Sequence, residues 1–136
     1  MPLDTANIIE RIRANQPISL TEAKAYFDER PPVQPSFLLG QWKGLPVLTG
    51  NKLVEILQNV KWAGKNFHGV DQVEPMIREV KYNDVVSAAM VYNERPVIDY
   101  FRYVDENTVI GVMDSPEHDD PSQEGDHLYF VLERIK

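Results

Sequence analysis

The chain has 136 residues, about the length of one domain. With 43% hydrophobic and 26% charged residues it has the make-up of a globular protein rather than a disordered one. It contains no cysteine, which excludes disulfides, thiol nucleophiles, thiolate zinc and iron–sulfur clusters, and a net charge of −7 argues against nucleic acid and anionic membrane surfaces.

No apolar run approaches the roughly 20 residues that a membrane helix needs. The N-terminus MPLDTANIIERIR has no basic stretch followed by an apolar one, so no secretory signal is read and a cytoplasmic, non-membrane protein is expected. One domain is expected over 1–136: a helical segment at 1–34, a glycine- and tryptophan-bearing region at 35–70, and a β-meander at 71–136.

From Asp4 to Arg30 the spacing predicts two short helices. Ile8, Ile9 and Ile12 share a face of the first, with Asp4 or Thr5 as its cap, and Pro17 ends it. Ser19 or Thr21 caps the second, which carries Leu20, Ala23 and Phe27 on one face and stops at Pro31-Pro32. Leu39, Val47 and Leu48 suit a strand interrupted by Gly40 and Gly44, and a third helix is expected from Lys52 to about Val60 after an Asn51 cap. Strands are predicted at Met76–Tyr82, Asp84–Tyr92, Val97–Val104, Thr108–Asp114 and Leu128–Ile135, with turns at Asp105-Glu106-Asn107 and Asn93-Glu94-Arg95-Pro96. Short connections make an antiparallel meander the economical topology.

These strands are apolar on both sides. Val85, Ala89 and Val91 alternate with Val86, Ala88, Met90 and Tyr92, and Val109 and Met113 alternate with Ile110 and Val112. An antiparallel sheet of that kind must be covered twice, by its own curvature and by helices or a second subunit.

Gly40-Gln41-Trp42-Lys43-Gly44 is the sharpest motif. A tryptophan there can plug one end of a curved sheet while glycine lets the strand bend. Together with Tyr26-Phe27-Asp28, Trp62, Gly64-Lys65, Phe67, Val86-Ser87-Ala88, Ile98-Asp99, Phe101-Arg102 and Val109–Asp114, the chain from Thr21 onward resembles the bacterial proteins that pair a GXWXG domain with a C-terminal domain of unknown function. Ala63 departs from the pattern where an aromatic is expected. The resemblance implies a lipocalin-like β fold suited to a lipid or other apolar ligand, and a dimer.

Polar residues within the strands are candidates for chemistry. Asp99 falls on the face of Phe101 and Tyr103, where a carboxylate is costly without a partner such as Lys65 or Tyr92; Arg102 falls on the opposite face. The loop Ser115–His127 holds five acids and two histidines, but its spacing matches neither a zinc helix nor a calcium loop, so a solvated loop is expected. There is no nucleophile elbow, no phosphate-binding glycine loop and no basic groove, and His68 reads as a turn histidine.

The fold expected is α+β, a curved, mostly antiparallel sheet or small lipocalin-like barrel with the N-terminal helices packed on or plugging it. The function expected is non-catalytic binding of a hydrophobic or amphipathic small molecule, of the fatty acid or phospholipid class, without cofactor or metal. Its walls are Trp42, Trp62, Met90, Tyr92, Phe101, Met113 and Phe130, with Lys65 and Arg102 as head-group anchors. Two alternatives stand beside it: a homodimeric module with a solid core, and a small enzyme using Asp99 and Asp114 with Lys65.

Overall fold

The computed structural model describes residues 7–50, 76–92, 96–115 and 127–135, and for 64–67 the backbone pairing alone. Helices α1 (Ile8–Arg13) and α2 (Leu20–Glu29) lead into a 3-10 turn at Pro35–Leu38. The strands are β1 (Gly40–Pro46), β2 (Gly64–Phe67), β3 (Met76–Tyr82), β4 (Val85–Val91), β5 (Ile98–Asp105), β6 (Thr108–Asp114) and β7 (Leu128–Arg134). They form one antiparallel, curved and open sheet in the order β2-β1-β7-β6-β5-β4-β3, with β2 and β3 at its edges. The third helix expected at 52–60, Asp4 and Thr5, and the turn at Asn93–Arg95 lie outside the described residues.

Local sequence accounts for most boundaries. Ser19 caps α2 in a reciprocal box: its Oγ accepts from the Glu22 backbone N–H at 3.1 Å, and Glu22 accepts from the Ser19 N–H at 3.2 Å. The β3–β4 hairpin turns at Asn83-Asp84, both with positive φ (48° and 66°), the backbone signature of a tight I′ turn. β2 was not predicted, because Gly64-Lys65-Asn66-Phe67 has no apolar alternation; its pairing with Gly40–Lys43 alone makes it a strand.

Both faces of the sheet are buried. One packs on the helices: Ile8, Ile12, Ala23, Tyr26 and Phe27 join Ala89, Tyr100, Ile110, Val112, Tyr129 and Val131 in a single cluster. The other face gathers Val33, Leu38, Trp42, Ile77, Ala88, Met90, Phe101, Val109, Leu128, Phe130 and Leu132. The alternation read from β4 and β6 is therefore correct, with Val109 and Met113 on one face and Ile110 and Val112 on the other.

A chain that covers both faces has to cross the sheet, and it does so between β4 and β5. Their backbone pairing is confined to Ala89–Val91 against Ile98–Tyr100. Beyond it the strands separate and the segment after α2 takes up the freed groups: Tyr103 N–H donates to Pro31 O at 2.8 Å, and Ala88 N–H donates to Val33 O at 2.9 Å. Ser87 Oγ accepts from Val33 N–H at 2.9 Å and donates to Phe101 O at 2.6 Å. Pro31 and Pro32 bring no N–H of their own into this gap, so none is left unsatisfied.

In the second face, Phe101, Gly111 and Phe130 stand opposite one another across β5, β6 and β7, and the two rings meet edge to face at 5.8 Å. The Phe130 ring occupies the space a side chain at 111 would need: a Cβ there lies 2.4 Å from its Cζ. Gly111→Ala is expected to lower stability by roughly 1–3 kcal/mol through overpacking. Urea unfolding checks it, and a Phe130→Leu change in the same chain should restore part of the loss.

α1 and α2 are joined by Arg11, whose guanidinium donates to Glu22 Oε2 at 2.6 Å. That bond, with the N–H and hydroxyl of Ser19, draws the Glu22 carboxyl down from 4.5 to about 2. Because the folded value is depressed, this contribution is complete above about 4.5 and is lost as pH falls towards 2. The stability difference between the wild type and Glu22→Gln should therefore shrink steadily across that window in urea titrations; a constant difference would show that the pair does not stabilise the fold.

Candidate functional site

The apolar face away from the helices runs between two different ends. At the first, Gly40 takes φ +113°, a conformation that favours glycine, and swings the chain from the 3-10 turn into β1. Trp42 follows, 1% exposed, and its indole N–H donates to Leu38 O at 2.8 Å. Arg134 stands directly opposite Trp42 on β7. Its guanidinium lies 4.3 Å from the Trp42 ring centroid and 5.2 Å from that of Phe37, and donates to Leu39 O at 2.8 Å and Phe37 O at 2.9 Å. Trp42, Arg134 and the 3-10 turn thus pack together at this end, with Phe37 and Tyr103 partly buried beside them.

The other end is a row across four strands. Met90, Asp99, Met113 and Leu128 face one another in register on β4, β5, β6 and β7. Asp99 is 1% exposed, whereas Met113 and the neighbouring Tyr92 are only partly buried. The Tyr92 hydroxyl donates to Asp99 Oδ2 at 3.3 Å. Burial first, then the charge of Asp99 and this hydrogen bond, push the Tyr92 phenol far above its ordinary range, so it stays a neutral donor. Among the described residues Asp99 is the one buried carboxylate.

Six of the seven expected wall residues come together here: Trp42, Met90, Phe101 and Phe130 are buried in the face, with Tyr92 and Met113 packed against them. Trp62 and His68 lie outside the described residues; Lys65 is placed by its backbone alone, opposite Trp42 in the β1–β2 register.

Arg102 has a different role from the head-group anchor expected of it. It lies on the helix-covered side, 1% exposed, with its guanidinium 4.6 Å from the Phe27 ring centroid. It donates to the carbonyls of Phe27 (3.1 Å), Asp28 (3.3 Å), Arg30 (3.2 Å) and Tyr82 (2.9 Å). The first three are carbonyls at the C-terminal end of α2, where the helix dipole attracts a cation; Phe27 O also accepts from the Arg30 N–H at 3.1 Å. Arg102 therefore fastens α2 to the sheet beside the crossing. Burial lowers its pKa from the ordinary arginine value, opposed by Asp28.

The carboxylate pair is likewise separated. Asp99 stands opposite Met113, so Asp114, the next residue, points to the other face and accepts from the Tyr100 hydroxyl at 2.9 Å. An enzyme working through Asp99 and Asp114 together does not fit this arrangement. Of the acidic loop, 116–126 lies outside the described residues; among the described residues no cluster of acids and histidines is placed to hold a metal ion. Nor is any helix among them long and apolar enough to cross a membrane.

Sequence reasoning missed Arg134 and Phe37. Arg134 is one cation in a mixed terminal stretch, and only the β1–β7 register sets it against Trp42.

The GXWXG protein profile matches residues 25–81, and the profile of a domain of unknown function, DUF4334, matches 74–134. A crystal structure of a protein from Thermomonospora curvata superposes with a TM-score of 0.84 at 30% identity, covering 96% of this chain and 97% of that one. No curated protein matches the chain.

Arg102→Leu should lower stability by about 3 kcal/mol, since it strands buried carbonyls without a donor. Guanidinium unfolding reads this, and a loss below about 1 kcal/mol would show that water replaces the guanidinium at the crossing.

Proposed function

Since the chain belongs to the lipocalin-like family that joins a GXWXG domain to DUF4334, we propose that it is a non-catalytic binding protein for a hydrophobic or amphipathic small molecule. The observation that carries the reading is the make-up of the second sheet face, where Trp42, Met90, Phe101 and Phe130 gather with Tyr92 and Met113 partly buried beside them and Asp99 stands in register between Met90 and Met113. An apolar surface with a few convergent polar groups is the usual make-up of a small-molecule site.

Affinity comes from the tail. Burial yields about 0.8 kcal/mol per methylene, and the cost of immobilising the ligand takes back several kcal/mol or more. A chain of a dozen carbons, worth about 10 kcal/mol of burial, then binds at tens to hundreds of micromolar. Methionines suit such a surface because their unbranched side chains adjust to irregular apolar shapes. For a fatty acid or phospholipid the remaining candidate anchor is Lys65, since Arg102 is engaged with α2.

The homodimeric module draws less support: among the described residues the exposed large hydrophobics are Val86 and Ile135, too little for an apolar subunit interface.

Titration with the uncharged fluorophore N-phenyl-1-naphthylamine tests the reading. Saturable binding in the micromolar range is expected, with Met113→Trp weakening it about tenfold or more while the unfolding midpoint stays near that of the wild type. The absence of saturable binding, together with native mass spectra showing the bare protomer only, would remove the carrier reading.

A further inference from the structure

We draw no further inference here: the strongest candidate, the outer edge of strand β3, where Glu79 and Lys81 are exposed and a second copy paired about Val80 would set each against the other, adjoins residues 68–75, which lie outside the described residues, and nothing in the structure shows what covers that edge.

Discussion

The buried guanidinium of Arg102 secures the place where the chain changes sides of its own sheet. A sheet that is apolar front and back gains stability only if both sides are kept from water. Here one short chain does this by sending its helices over one face and the segment after them through to the other. The crossing interrupts the β4–β5 ladder and leaves backbone groups that pay a desolvation cost if unpaired. Pro31, Val33 and Ser87 take up those groups on the strands, and Arg102 takes up the carbonyls at the end of α2. The rest of the architecture follows from that seam.

Once the crossing is made, the polar residues inside the molecule divide by purpose. Arg102 reads as a ligand-binding cation in the sequence and Arg134 as one cation in a mixed terminal stretch, yet each is surrounded by main-chain oxygens and an aromatic ring. A guanidinium is well suited to this: its planar fork of donors satisfies several carbonyls while its face lies on an aromatic ring. Asp99 is set differently, between the thioethers of Met90 and Met113 on the other face, with a phenol as a neighbour. That contrast, rather than the number of apolar residues, distinguishes the two ends of the second face, a guanidinium stacked on Trp42 at one and the Asp99 carboxylate at the other.

Much of the fold was legible residue by residue. The start of α2 at a Ser19 or Thr21 cap, which the structure resolves to Ser19, its end at the paired prolines, and the faces to which Val109, Ile110, Phe101 and Arg102 belong all follow from local rules of helix start, helix stop and alternation. Six candidate wall residues were found the same way, because strand alternation puts Met90, Tyr92, Phe101, Met113 and Phe130 on definite sides, and the glycine–tryptophan motif marks Trp42. What alternation does not show is which side a given strand's partners are on, so Asp99 and Asp114 read as a pair although they look opposite ways.

The sequence by itself determined that the sheet has two dry faces, since that is a property of successive residues along each strand. Tertiary structure decided everything that depends on register between distant strands: Arg134 against Trp42, Phe130 over Gly111, Asp99 between Met90 and Met113, and Arg102 against the end of α2. The physical reason is that a charged side chain takes its role from the atoms within a few ångströms of it. Chain spacing places a residue on a face, but only the packed fold selects which carbonyls, rings and carboxylates become its neighbours.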